Sequence, residues 1–229
     1  MKRIGLLGGM SWESSVEYER LINQEVRRRL GGTASADLVI RSYNFAEIEA
    51  LQEASDWTGA GERLAADAVM LERAGAEVIV LCTNTMHKVA PIIEAAISGR
   101  FLHIADATAD AIRAAGVSSV GLLGTRYTME QEFYRGRLEA WGIAVSVPGE
   151  PDRSMIHRVI FDELVRGEIV EESREAYLAA ISTLVFEGAQ GVIAGCTEIE
   201  LLVSPNDVAV PFFPTTAIHA HAAVEASLA

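Results

Sequence analysis

The chain has two cysteines, and each stands where an apolar run gives way to polar residues. Cys82 follows the run 78–81 and precedes Thr-Asn-Thr, while Cys196 follows the run 191–195 and precedes Thr-Glu. Apolar runs of this kind are typical of strands buried on both faces, and the polar residues after them predict helix starts. Because ligands of parallel α/β sheets bind at the carboxyl ends of the strands, the two thiols are predicted to face one site.

A thiol at a helix N-terminus is suited to acid–base chemistry. Backbone N–H groups and the helix dipole stabilise the thiolate and lower the thiol pKa from its ordinary value of about 8.5. A lone cysteine on an apolar strand is more often inert core, but here two occur in matching surroundings. Two opposed thiols can invert a carbon with a weakly acidic C–H, because one removes its proton and the other supplies a proton to the opposite face.

The carbanion formed in such a step needs hydrogen-bond donors aimed at the neighbouring carboxylate. Suitable donors follow both strands and occur in two glycine turns: Thr83, Asn84, Thr85, Thr197, Gly8-Gly9 and Gly124-Thr125. For each of these side chains, ordinary helix capping is the alternative role.

Strands and helices alternate along the chain. Short apolar runs at 4–7, 37–43, 78–81 and 101–104 are separated by helical patterns at 13–30, 45–52, 58–74, 91–97 and 106–115. This alternation is typical of a parallel sheet with helices on both faces. In the first helix, Val16, Leu21 and Val26 are expected to face the core.

The pattern restarts near residue 118, which indicates an internal repeat. Residues 120–125 repeat residues 4–9 at an offset of 116, and the cysteines are 114 positions apart. We therefore predict an α/β fold of two similar halves with a boundary near residue 100, each cysteine in an equivalent place, and a binding cleft between the halves.

Composition excludes several classes of protein. The chain has 229 residues, 50% of them hydrophobic, and a formal net charge of -13. Nucleic-acid and anionic-membrane surfaces rely on Lys and Arg, so no nucleic-acid or membrane partner is expected. No run approaches the roughly 20 apolar residues of a membrane span, and the N-terminal apolar segment is too short for a signal peptide. Two cysteines are too few for a disulfide scaffold, which favours a reduced, cytoplasmic setting.

Other motifs carry less chemistry. The segment 5–9 lacks the G-x-G-x-x-G spacing and no Walker lysine follows it, which argues against a nucleotide site. His219 and His221 have no acidic or thiol cluster beside them, so we expect helix-surface residues and no metal site. His87 is expected either to line the site or to interact with a helix dipole.

Four segments together resemble the aspartate/glutamate racemase family: Gly-Gly-Met-Ser-Trp-Glu-Ser at 8–14, Cys-Thr-Asn-Thr-Met-His at 82–87, Gly-Leu-Leu-Gly-Thr-Arg-Tyr-Thr-Met at 121–129 and Gly-Cys-Thr-Glu-Ile at 195–199. The resemblance implies a cofactor-independent, PLP-independent amino-acid racemase, an isomerase whose small-molecule substrate is aspartate or glutamate. It implies two pseudo-symmetric α/β domains, 1–100 plus 210–229 and 101–209, each a parallel sheet flanked by helices, with the active site between them. Members are often homodimers.

The resemblance also implies roles for individual residues. By position, Cys82 and Cys196 would be the acid–base pair of a two-base mechanism. The substrate site would be lined by Met10, Gln52, Thr83, Asn84, Thr85, Thr125, Thr128, Thr197 and Glu198.

Two positions depart from the family pattern. Members commonly have Asp where this chain has Pro214, which we expect in the first turn of the last helix. Some aspartate-specific members have Lys where this chain has Val165. Two further hypotheses therefore stand beside the racemase: a maleate-isomerase-like or arylmalonate-decarboxylase-like enzyme that uses one cysteine, and a catalytically silent paralogue that binds a small carboxylate.

Overall fold

The structure is a computed structural model that describes residues 1–229. The strands are β1 (Ile4–Gly8), β2 (Leu38–Ser42), β3 (Val78–Leu81), β4 (Arg100–Leu102), β5 (Ser119–Gly124), β6 (Ala144–Ser146), β7 (Gly191–Gly195) and β8 (Phe212–Pro214). The helices are α1 (Trp12–Leu30), α2 (Phe45–Glu53), α3 (Trp57–Arg73), α4 (Ala90–Ala96), α5 (Ile104–Ala114), α6 (Arg126–Glu130), α7 (Glu132–Ala140), α8 (Asp152–Asp162), α9 (Glu171–Phe186), α10 (Ile199–Leu202) and α11 (Thr215–Leu228). Short 3₁₀ turns span Thr85–Val89, Leu164–Arg166 and Pro205–Asp207.

The strands form two four-stranded sheets in which every pairing is parallel. One sheet has the order β2-β1-β3-β4 and the other β6-β5-β7-β8. The chain divides into two compact units, residues 1–104 with 216–229 and residues 105–215, and each unit contains one sheet. The prediction of an α/β fold with two parallel sheets flanked by helices is confirmed.

In the first unit both faces of the sheet are buried. Along β1, Ile4 and Leu6 belong to a cluster completed by α1 and α11, whereas Leu7 belongs to a cluster completed by α3. The alternation follows from the period of two along a strand, and burial on both faces explains why the predicted strands are almost purely apolar. None of the helices combines the length and the apolar character that a membrane span requires.

The prediction for the inner face of α1 is partly wrong. Val16 is 53% exposed, while Tyr18, Ile22 and Val26 are fully buried. These three residues recur every four positions and therefore share one face of the helix. Tyr18 carries a polar hydroxyl on an apolar ring, so a search for purely apolar residues does not find it. Ser11 caps the helix, since its side chain accepts the N–H of Ser14 at 3.4 Å.

Pro214 does not lie in a helix. It is the last residue of β8, where it pairs with Ala194, and α11 begins at Thr215. β8 is an edge strand, and no further strand pairs with its open side. A proline, which has no N–H to donate, is therefore tolerated there.

The expectation that His219 lies on a helix surface is also wrong. His219 is fully buried, and its Nε2 donates to the carbonyl of Leu102 at 2.9 Å while its Nδ1 accepts the hydroxyl proton of Tyr18 at 2.8 Å. Burial lowers the pKa of His219 to about 4, so the ring is neutral near pH 7. His221, two residues on, is exposed as expected.

Candidate active site

Each cysteine stands at the point where the strand order of its own sheet reverses. After β1 the chain passes to β2 on one side and then crosses to β3 on the other, and after β5 it does the same with β6 and β7. Crevices that bind ligands form at the carboxyl ends of the strands at such switch points. Cys82 follows β3 directly and Cys196 follows β7 directly, as predicted.

Cys82 is fully buried at this edge of the first sheet. Its backbone N–H donates to the carbonyl of Leu7 on β1 at 2.9 Å, and its side chain packs with Val80 in the cluster beneath α1 and α11. The nearest polar partner of the sulfur is the Val80 carbonyl, at 4.0 Å. Burial therefore raises the pKa of the Cys82 thiol above its ordinary value.

Cys196 has a carboxylate beside it and is only partly buried. Its thiol donates to Oε2 of Glu198 at 3.0 Å, and Glu198 is itself 5% exposed. Burial, and after it the negative charge of Glu198, hold the pKa of the Cys196 thiol well above its ordinary value.

The expectation of lowered thiol pKa values is therefore wrong for both cysteines. The segments after the strands are a 3₁₀ turn and the four-residue helix α10, too short to develop a strong dipole. The free-energy cost of removing a thiolate from water exceeds the stabilisation that such short segments provide.

The two cysteines do not occupy equivalent places in their sheets, contrary to the expectation from the repeat. The helices before β3 and β7 are followed by glycines with positive φ, Gly75 and Gly188. Cys82 comes seven residues after the first glycine and Cys196 eight residues after the second. As a result, Cys82 lies on the sheet face away from α3, whereas Cys196 lies on the face packed by α9.

The structure brings several predicted site residues of the first unit together around Met86, in and beside the turn that follows Cys82. Met10 follows β1 and packs in the same cluster as Met86. The amide of Gln52, on α2, lies 3.1 Å from the Met86 sulfur. Asn84 and Thr85 are buried in the turn between Cys82 and Met86, and Thr83 is partly exposed there. Asn84 makes no side-chain capping bond, so capping does not account for its type.

The predicted residues of the second unit lie on the turns after β5 and β7. Thr125 caps α6, accepting the N–H of Thr128 at 3.3 Å, and the two hydroxyl oxygens are 3.2 Å apart. Helix capping is thus an observed role of Thr125. Thr128 is fully buried, and Thr197 is 8% exposed in the turn that carries Cys196.

Of the two glycine turns, the first does not offer the amide that was expected. Gly9 donates its N–H to Oγ of Ser15 at 2.6 Å. Gly9 has a φ of 83°, and a Cβ there would collide with the backbone of Tyr43, so the turn requires glycine for its shape rather than for a free donor.

Two residues that support the site were missed or left open by the sequence. His157 Nδ1 accepts the N–H of Arg126, next to Thr125, at 3.2 Å. His87 is 1% exposed and bonds to the carbonyl of Thr83 at 2.7 Å. His157 stands in no motif, and His87, although it ends the motif at 82–87, has partners that only the folded backbone shows.

Comparison with known proteins decides the family. The profile of the Asp/Glu/hydantoin racemase family matches residues 7–223. The chain belongs to this family. Membership supports a racemase, and therefore an isomerase.

Three solved structures are similar to this chain over nearly its whole length. A candidate Asp/Glu racemase from Yersinia pestis is 55% identical, with all of both chains covered and a TM-score of 0.94. An aspartate racemase homologue from Pyrococcus horikoshii OT3 is 35% identical over all of both chains, with a TM-score of 0.88. An aspartate racemase from Picrophilus torridus is 20% identical, covers 99% of this chain and 94% of its own, and shares the fold with a TM-score of 0.76.

Proposed function

We propose that this protein is a cofactor-independent racemase of aspartate or glutamate, with Cys82 and Cys196 as its two bases. The observation that carries the proposal is the place of the cysteines: each directly follows the strand beside the switch point of its own sheet. A racemase has to protonate and deprotonate one carbon from two sides, and two thiols on two repeated units suit that requirement.

The reaction transfers protons only. A thiolate takes the Cα proton, the C–H electron pair stays on the substrate and spreads into the α-carboxylate, and a thiol gives its proton to the opposite face of Cα. The first cysteine ends as a thiol and the second as a thiolate, so the reverse reaction can start at once. No oxidant or reductant is needed.

The surroundings of the two thiols suggest which one gives up its proton first. Cys196 donates to the buried carboxylate of Glu198, which is placed to take its proton. The backbone N–H of Glu198 also bonds to the sulfur and favours the thiolate. Cys82 packs among apolar side chains, and burial keeps it protonated. In this proposal Cys196 acts first as the base, and Cys82 as the acid, for one of the two enantiomers.

The substrate carbanion is stabilised by donors near the cysteines. Thr83, Asn84 and Thr85 come directly after Cys82, and Thr197 directly after Cys196. Preorganised donors of this type stabilise a developing enolate charge more than water does. Gly9 is not among these donors because its N–H is already bonded.

The relatives favour aspartate or glutamate, and two residues bear on the choice. Val165 stands where some aspartate-specific members have Lys, and it packs against the core cluster of the second unit. Arg166, next to it, is exposed. The chain thus lacks a cation at this place, so recognition of the side-chain carboxylate has to rely on other groups.

The test is to incubate each enantiomer of aspartate and glutamate with the enzyme in heavy water. We expect loss of optical purity with deuterium at Cα, and loss of interconversion in both Cys82→Ala and Cys196→Ala. Full racemisation by either single variant would overturn the two-base mechanism. Carbon dioxide release from an arylmalonate, or a trapped covalent adduct on one cysteine, would indicate the single-cysteine enzymes instead. Calorimetric binding without inversion would indicate a silent paralogue.

A further inference from the structure

His87 is enclosed by protein, and both of its ring nitrogens bond to backbone. Nδ1 lies 2.7 Å from the carbonyl oxygen of Thr83, and Nε2 lies 3.2 Å from the backbone nitrogen of Ile104. A carbonyl only accepts and an amide N–H only donates, so the ring is neutral with its proton on Nδ1. His87 therefore donates to Thr83 and accepts from Ile104 at the same time.

The bond from His87 to Thr83 is one of three hydrogen bonds that hold the backbone around Cys82 in place. On one side, the N–H of Cys82 donates to Leu7 on the neighbouring strand, and the N–H of Thr83 donates to Leu81, both at 2.9 Å. On the other side, the next carbonyl along the chain, that of Thr83, is held by His87. The Cα of Cys82 is thus restrained from both directions.

The turn after Cys196 is closed in a different way. The carbonyl of Cys196 accepts the N–H of Ile199 at 3.1 Å, and the carbonyl of Thr197 accepts the N–H of Glu200 at 3.2 Å. That turn leads into α10, and these two bonds join backbone to backbone. Beside Cys82, by contrast, a side chain, that of His87, holds the carbonyl of the next residue.

The packing around His87 prevents the ring from turning. The ring centroid of His103 lies 4.5 Å away and that of Phe101 5.7 Å away, and His87 is 1% exposed. Hydrogen bonds shielded from water in this manner are stronger than exposed ones. The second bond anchors the ring to Ile104, the last residue of the first unit before the chain enters the second.

We infer that His87 is a positioning residue that holds the Cys82 thiol in place for proton transfer, through the carbonyl of Thr83. The inference rests on the proposed function, because it assigns the Cys82 side of the two-base reaction. His87 does not exchange a proton with the substrate in this assignment. Its effect therefore falls on the steps that use Cys82 and leaves those of Cys196 unchanged.

Two replacements separate the two hydrogen bonds. His87→Asn places an amide donor near the position of Nδ1 and keeps the bond to Thr83, while His87→Gln places an amide oxygen near the position of Nε2 and keeps the bond to Ile104. We expect kcat to fall roughly 10- to 100-fold in His87→Gln, since small misplacements of a catalytic group have effects of this size. We expect His87→Asn to stay within about threefold of wild type, and KM to change little in either.

Deuterium exchange distinguishes positioning of Cys82 from general damage. For the enantiomer that Cys196 deprotonates, a misplaced Cys82 should let Cα exchange with solvent continue while inversion slows, so the ratio of exchange to inversion rises. For the other enantiomer, exchange and inversion both begin at Cys82 and should fall together. Cys82→Ala identifies which enantiomer is which, and His221→Asn, at an exposed histidine, is the matched control.

The outcomes separate this inference from the function on which it rests. An active wild type, with His87→Gln showing the same exchange-to-inversion ratio as His221→Asn for both enantiomers, would overturn the inference alone. A wild type that exchanges neither enantiomer would overturn both. If His87→Gln does not fold, as judged by circular dichroism, a raised ratio in a folded His87→Asn variant would overturn the assignment to Thr83, and an unchanged ratio would support it.

Discussion

The thiol of Cys196 donates to Oε2 of Glu198 across 3.0 Å, and both residues come from the same turn after β7. Glu198 has two opposite effects on the pKa of this thiol. The negative charge of Glu198 raises the thiol pKa, whereas its backbone N–H lowers it. In the proposed mechanism the carboxylate also takes the thiol proton, and one substitution removes both its charge and its capacity to accept that proton.

Glu198→Gln should make Cys196 more acidic yet less effective as a base. The substitution removes the charge and the proton acceptor but keeps the backbone donor, so we expect the thiol pKa to fall and turnover to fall by roughly 100-fold. Alkylation of Cys196 by iodoacetamide across pH 6–10, followed by mass spectrometry, measures the first effect, and polarimetry the second. Mass spectrometry of the peptides separates the alkylation of Cys196 from that of Cys82. Slower alkylation of the variant would contradict this account of the pair.

His219 should make the protein less stable as the pH falls below neutrality. Its folded pKa of about 4 lies below the ordinary value of 6.5, so between these values the unfolded chain binds a proton that the folded chain does not. The loss over this interval is about 3 kcal/mol in the free energy of unfolding. Urea denaturation at pH 7.0 and pH 4.5 measures it.

His219→Gln isolates this contribution because the glutamine amide N–H can replace the Nε2 bond to Leu102 without titrating. We expect a shallower dependence of stability on pH in this variant. His221→Gln, at an exposed position two residues on, should retain the wild-type slope. Equal slopes in all three proteins would show that His219 is not the titrating group.

The sequence is sufficient to predict the strands that lead to the two cysteines and the parallel character of the sheets, because those features follow from apolar runs and from the alternation of strands and helices. It does not predict β6 or β8, and the last residue of β8, Pro214, was expected in a helix. It does not reveal the register of the repeat. The single extra residue between Gly188 and Cys196, compared with Gly75 and Cys82, leaves both motifs intact while changing the sheet face on which the thiol lies. A one-residue shift in a strand moves every side chain to the other face, and no pattern of apolar residues encodes it when both faces are buried.

The burial and the partners of the two histidines cannot be predicted from the sequence, for a different reason. His219 lies in α11, where five of the 14 residues are alanines and no apolar stripe marks the inner face. Its partners, Tyr18 and Leu102, come from distant parts of the chain. Likewise His87 bonds to Ile104, on a different element. Such contacts depend on tertiary packing, which overrides local preference.

Glu25 should stabilise the fold in mild acid. It is 6% exposed, and its bonds to Arg28, and to Arg29 at 2.6 Å, lower its pKa to about 2. The folded carboxylate stays ionised below the pH at which the unfolded one is protonated. The stabilisation is therefore complete above about pH 4.5 and is lost as the pH falls towards 2. Because solvent screens the exposed Arg28, we expect about 1 to 2 kcal/mol.

Glu25→Gln removes this titration, and thermal unfolding between pH 2.5 and pH 5 measures the change. Glu17→Gln is a matched control, since Glu17 pairs with Arg20 at the same three-residue spacing on the same helix but is 33% exposed. We expect little change of slope in the control. If the slope of stability against pH changed as much in Glu17→Gln as in Glu25→Gln, burial of Glu25 would not be the cause of the stabilisation.

Gly195→Ala should damage the site more than the fold. A Cβ at Gly195 would lie 2.7 Å from the carbonyl oxygen of Leu123 on β5, so β5 and β7 would have to separate beside Cys196 and Thr125. We expect a loss of about 1 to 3 kcal/mol in stability, as for other overpacked positions, and a fall in kcat of roughly 100-fold because the thiol is displaced. Gly149→Ala, where nothing lies within 4 Å of the new Cβ, is the control for both measurements. A Gly195→Ala enzyme with wild-type kcat would show that the spacing of these strands does not position the thiol.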